Sequence, residues 1–196
     1  MGRISKNDII YMYHNQFVSC FDEVSYCTAI APGRINIIGE HTDYNLGLAM
    51  PIAIDRWICS VVSIRKDNQI NIYSSTYEEL ISYDDNFFDG GSTWKNYVIG
   101  CIKVFKEAYN INKGFNILIG GNIPIGFGMS SSAALEVSLL SSLIYASDIQ
   151  VDKYKILELS NKVEKDFLGI ESGFLDQYAC IFSKKDKPML IDFSNL

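Results

Sequence analysis

The chain has 196 residues, 48% of them hydrophobic and 20% charged, with only four prolines. That composition fits a globular protein with a substantial core, and it excludes a disordered tail, a collagen-like repeat and a disulfide-dependent miniprotein. Its 17 basic and 23 acidic residues give a formal net charge of −6 with no long block of like charge, so neither nucleic acid nor an anionic membrane is an expected partner.

From the N-terminus, Ile10, Tyr13 and Phe17 share one face and predict a helix over residues 8–17. Short β-branched or aromatic runs predict strands at 26–31, 52–54, 57–64 and 69–74. The acidic segment 77–93 reads as a strand followed by an exposed loop at Asp89-Gly90-Gly91-Ser92. Trp94, Tyr97, Val98, Cys101, Val104, Phe105 and Ala108 then recur at three- and four-residue intervals, the pattern of an amphipathic helix. A strand at 114–120 leads through a glycine- and serine-rich turn into a helix at 132–146, apolar on most sides and therefore buried. A helix at 152–168 carries Ile156, Leu159, Val163 and Phe167 on its core face. Gly169 and Gly173 break that pattern before a short helix at 176–181, and a strand at 188–193 closes the chain. Strands come in runs with helices grouped between them, which favours an α+β fold with a mixed sheet. No linker or internal repeat divides residues 1–196, which read as one domain.

The five cysteines (Cys20, Cys27, Cys59, Cys101 and Cys180) are odd in number, scattered and without C-x-x-C spacing. Reduced thiols in a cytoplasmic protein are the expectation. The N-terminal stretch lacks the apolar segment of a signal peptide, and no apolar run approaches the ~20 residues that cross a bilayer.

Three segments concentrate chemistry. In residues 120–136, Gly126 and Gly128 allow close backbone approach, and Ser130, Ser131 and Ser132 stand at a helix N-terminus. Free N–H donors and the positive dipole end there suit a phosphate, although a serine-capped turn is an equally open reading. In residues 31–45, Arg34, Glu40, His41, Asp43 and Tyr44 crowd one short stretch after a strand. Carboxylates and an imidazole in one loop match the neighbouring hydroxyls of a sugar, and an arginine can stabilise a phosphoryl group. A surface turn with ordinary ion pairs competes with that reading. In residues 169–177, Asp176 follows glycines and apolar residues, where a carboxylate can serve as a base or merely end a turn.

Taken together these segments resemble the GHMP small-molecule kinase superfamily, and its galactokinase branch in particular. Gly33 through Tyr44 meet the motif G-R-x-N-[LIV]-I-G-E-H-x-D-Y throughout. The glycine motif appears as PIGFGMSSSA, with Met129 where leucine is usual, a volume-conserving change. Trp94 to Tyr97 supply W-x-N-Y, and Gly173-Phe174-Leu175-Asp176-Gln177 stand for G-[IVL]-M-D-Q with both middle residues altered. The resemblance implies ATP and Mg²⁺ as cofactors and phosphorylation of galactose at its C1 hydroxyl. Asp176 would be the base, with Arg34 stabilising the phosphoryl group. Glu40, His41, Asp43 and Gly173 would bind the sugar. The loop Gly126, Gly128, Met129, Ser130, Ser131 and Ser132 would cradle the nucleotide phosphates, and Ser132 with Glu164 would hold the metal. Competing readings are a kinase for N-acetylgalactosamine, arabinose or a uronic acid, and a non-catalytic sugar and nucleotide sensor. The family's third motif, G-G-G-[FM]-G-G, is missing. A second, ferredoxin-like half is therefore expected to pack against this one, on an exposed apolar patch.

Overall fold

A computed structural model describes residues 4–24, 27–83 and 93–195. Helix α1 (Lys6–Phe21) opens the chain, followed by the long strands β1 (Cys27–Ile38) and β2 (Leu48–Ile64). Strands β3 (Ile70–Ser74) and β4 (Glu79–Tyr83) precede helix α2 (Trp94–Tyr109) and strand β5 (Phe115–Gly121). Helices α3 (Ser131–Ala146), α4 (Lys153–Lys162) and α5 (Leu175–Phe182) and the two-residue strand β6 (Ile191–Asp192) complete it. The strands form one mixed sheet in the order β1-β2-β5-β3-β4, with β6 on β2 and a parallel pair between β3 and β5. The expected α+β class and mixed sheet are what the chain adopts.

Alternation along the strands sorts side chains to two faces. Cys59 and Val61 of β2 and Leu118 of β5 meet Ile9, Tyr13 and Phe17 of α1. Ile58, Val62, Phe115, Ile117 and Ile119 point the other way, into the larger core beneath α2, α3 and α4. The first helix begins at a capping box, in which Ser5 accepts from the Asp8 N–H and Asp8 accepts from the Ser5 N–H. Its buried stripe starts at Ile9, where the sequence pattern had pointed to Ile10.

Helix α3 is apolar on most sides and buried, as its sequence implied, and it packs against β1 and β2. Serines make that close approach possible: Ser138 and Ser60 share a hydrogen bond of 2.8 Å, and the Ser142 hydroxyl donates to the Ser60 carbonyl at 2.9 Å. Leu139, next to Ser138 in the chain, is fully buried in the larger core. Leu139→Ala is expected to lower unfolding free energy by ~2–5 kcal/mol, measurable as a shifted urea midpoint at constant slope.

Several boundaries differ from the sequence reading. The runs at 52–54 and 57–64 are one strand, because ten residues of β1 pair along its length across two bulges. Arg34 therefore sits inside a strand and not in the loop after it. The helix at 152–168 is interrupted, since Val163–Phe167 form a π turn, and Phe167 is only half-buried. The strand at 188–193 shrinks to β6, with Met189 and Phe193 tied by single backbone bonds to Pro51 and Gly47. The loop expected at 89–92 and the first strand's start at Tyr26 lie outside the described residues.

Candidate active site

Gly33 brings β1 against the glycine loop, since a Cβ there would stand 2.7 Å from the Met129 carbonyl oxygen. The next residue uses that proximity: the Arg34 N–H donates to the same carbonyl at 3.2 Å. Its guanidinium then forks. Nη1 donates to the Gly128 carbonyl at 2.8 Å, Nε to Asp176 Oδ1 at 2.8 Å, and Nη2 to that same oxygen. The other carboxylate oxygen, Oδ2, accepts from the Ser130 hydroxyl at 2.5 Å. Asp176 is thus held on both oxygens, once by a cation, at the start of α5. Its side chain keeps 32% exposure, enough for one face to meet a substrate.

Ser130 was expected to lend its hydroxyl to an incoming phosphate. It instead occupies a left-handed conformation with φ 55°, does not cap α3, and turns that hydroxyl to Asp176. The N-terminus of α3 therefore carries no side-chain cap, and its first-turn donors keep their capacity for an anion. Gly126 and Gly128 have φ of 81° and 66°, and an added Cβ would meet nothing within 4 Å. The backbone conformation is what requires glycine there, and the space beside it is open.

Ser131 and Ser132 border a cavity of about 310 Å³ whose walls include Tyr77, Trp94, Tyr97 and Ile123. The Tyr77 and Trp94 rings stack at 5.4 Å and 10°. Tyr97 bonds to Ser132, while burial and the charges of Glu164 and Glu136 push its phenol up to about 12. The W-x-N-Y motif thus lies on the cavity wall, a position the motif alone does not reveal. The helical spacing of Trp94 and Tyr97 was the available signal.

Asp43 begins a short 3₁₀ turn, Asp43–Asn45. Its Oδ1 accepts from the Tyr44 N–H at 3.0 Å and its Oδ2 from the Leu175 N–H at 3.4 Å, which ties the turn to the start of α5. Gly173 passes so close that a Cβ would overlap the Asp43 carboxylate. Gly173→Ala is expected to displace Asp43 and lower unfolding free energy by ~1–3 kcal/mol, read as a shifted urea midpoint. Glu40 and His41 lie exposed in the same turn. His41 Nδ1 pairs with the Tyr44 hydroxyl at 2.9 Å, within the turn and not with Asp176.

Glu164 lies on the π turn and is almost wholly buried. The Ser172 hydroxyl donates to its Oε2. Burial raises its carboxyl above the ordinary range, Ser172 and Gln177 oppose that through hydrogen bonds, and Asp176 and Asp43 add to it. Such a carboxylate gains from an incoming cation, and Ser132 and Glu164, which both act on Tyr97, are hard oxygen donors suited to Mg²⁺. Among the described residues no group of three or more His, Cys, Asp or Glu is set to hold a metal. A cation bound here would draw its other ligands from phosphate and water.

Residues 96–184 match the family model of the GHMP kinases N terminal domain. The fold is shared with the Methanococcus jannaschii mevalonate kinase, at a TM-score of 0.76 and 20% identity over 87% of this chain and 54% of that one. The fold is that of the GHMP kinases N terminal domain. Residues 15–64 match the galactokinase galactose-binding signature. The galactokinase of Staphylococcus carnosus is 41% identical over 93% of this chain and 48% of its own length. The crystal structure of Lactococcus lactis galactokinase complexed with galactose superposes at a TM-score of 0.85, with 35% identity over 96% of this chain and 50% of that one. The chain is thus similar to galactokinases over nearly all of its own length. It spans about half the length of the curated relatives it matches.

Proposed function

We propose that this chain supplies the sugar- and phosphate-binding part of a kinase that transfers the γ-phosphoryl group of ATP to the C1 hydroxyl of galactose. The observation that supports it most directly is the grip of Arg34 and Ser130 on Asp176. It places a carboxylate beside a helix N-terminus suited to phosphate.

In this reading the C1 hydroxyl lies against the open face of Asp176, which receives its proton as the C1 oxygen bonds to phosphorus. The bond from that phosphorus to the bridging oxygen of ADP breaks at the same time. Arg34 stabilises charge on the transferring group. The α3 N-terminus and the loop Gly126–Ser132 receive the phosphates, and the stacked Tyr77–Trp94 wall suits a nucleobase. Asp43, Glu40 and His41 meet the sugar hydroxyls, and Gly173 closes against the ring. Mg²⁺, when bound by Ser132 and Glu164, would neutralise phosphate charge.

A second half packs against this one in the same reading. Ile37, Ile38, Leu46 and Leu48 are all exposed along the β1–β2 hairpin and form the apolar surface for it. The five cysteines are free, in keeping with a reducing compartment. No helix of the described residues is long and apolar enough to cross a membrane.

The test is ADP release by the intact gene product with ATP, Mg²⁺ and a panel of sugars. Fastest turnover with galactose supports the proposal. Preference for N-acetylgalactosamine, arabinose or a uronic acid reassigns the acceptor. Sugar-dependent binding to another protein without ADP formation makes it a sensor. Turnover by residues 1–196 alone at the rate of an intact sugar kinase would remove the need for a second half.

A further inference from the structure

Helix α3 buries one carboxylate that the proposed chemistry leaves unused. Glu136 is fully inaccessible, one helical turn below Ser132, and is the one charged residue of the helix. A buried carboxylate ordinarily needs a cation or several donors. Glu136 has neither: its Oε2 accepts from Gln177 Nε2 at 3.1 Å, and its Oε1 has no hydrogen-bond partner. The titratable groups that interact with it are Tyr97 and Cys101 on α2, Glu164 on the π turn, and Asp176 and Cys180 on α5, all acids.

Gln177 is the residue after Asp176, and it is as deeply buried as Glu136. Its amide donates to Glu136, and it also acts on the Glu164 carboxyl, so α3 is bonded to, and the π turn influenced by, one side chain of α5. Those three elements carry, in turn, the phosphate-binding N-terminus, the metal carboxylate and the base of the proposed mechanism. We propose that Glu136 is a positioning residue for phosphoryl transfer, which through Gln177 fixes the first turn of α5 so that Asp176 stays within reach of Arg34 and Ser130. This rests on the kinase reading above and deepens it.

The pair works as a neutral acid against an amide. Burial, with Glu164 and Asp176 adding, holds the Glu136 carboxyl well above the ordinary range, against the opposing hydrogen bond from Gln177. Gln177 Oε1 is also buried without a partner, so a proton on Glu136 adds a donor where two acceptors stand unmatched. A neutral Glu136 also keeps a third negative charge away from Asp176 and Glu164.

The experiment compares wild type, E136Q, E136L, Q177L and the double variant E136L/Q177L in the intact gene product. It measures kcat, KM for sugar and for ATP, and thermal melting. E136Q retains the shape, the neutrality and a donor, so its kcat is expected within about twofold of wild type. E136L and Q177L are each expected to lose ~10-fold in kcat with KM nearly unchanged, and the double variant to lose no more than either single one. If E136L does not fold, Q177L and E136Q supply the same contrast. A lowered melting point with undiminished kcat in E136L or Q177L would reduce the pair to a packing element. Losses that multiply in the double variant, or E136Q as inactive as E136L, would also overturn the proposal. Wild type inert toward every sugar fails the kinase reading itself and takes this inference with it. An active wild type with indifferent variants fails the inference alone.

Discussion

Asp176→Asn is expected to leave a folded protein whose kcat for sugar phosphorylation falls by ~10²–10⁴-fold. The amide keeps an oxygen for Arg34 or Ser130, so melting temperature and sugar binding should move little. What disappears, in the proposed mechanism, is the group that accepts the C1 proton. Steady-state ADP release and galactose calorimetry on the same preparation separate the two effects. Near-normal turnover would leave Asp176 as an orienting group and return the base assignment to open question.

Arg34→Lys is the second large effect, and it tests geometry where the first tests charge. The guanidinium makes three bonds in different directions, two to Asp176 and one to the Gly128 carbonyl. A lysine keeps the positive charge but has no rigid fork, so it cannot serve the loop and the carboxylate together. A kcat loss of ~10²–10³-fold is expected, accompanied by a raised KM for ATP because the glycine loop loses its side-chain bond at the Gly128 carbonyl and keeps only the backbone one at Met129. Thermal melting should fall as well, since Asp176 would keep fewer charge-assisted bonds. An R34K enzyme with normal kcat and KM would show that Arg34 contributes charge alone.

Much of this molecule was legible in the sequence wherever a periodic pattern or an unbroken motif carried it. Helix α2 was readable from its apolar spacing, and α3 from the absence of a polar face. The strand that bears Arg34 was not, because Pro32 and Gly33 look like the end of a strand. Pairing with β2 carries β1 through both, with a bulge absorbing the irregularity. The π turn was hidden for a related reason: one extra residue in a helix shifts its face without altering composition. That shift lets Glu164 turn inward between Lys162 and Lys165.

A sequence shows the types of its candidate site residues but not their contacts. Three consecutive serines look equivalent in a sequence, yet a left-handed backbone at Ser130 sends its hydroxyl to the carboxylate and leaves Ser131 and Ser132 to the cavity. Glu136 went unnoticed because it was read as part of an apolar helix. A lone carboxylate in such a helix is costly unless it does something, and that cost was the signal available.

The strand order also bears on how the protein comes into being. Because β5 lies between β2 and β3, the sheet cannot close until residue 121 has been synthesised. Arg34 and Asp176, 142 residues apart, meet later still. A nascent chain therefore spends much of its synthesis with β2 showing an unpaired edge, a state open to off-pathway pairing. A chain released before α5 would hold β1 to β5 but lack Asp176, and with it the carboxylate that Arg34 and Ser130 grip.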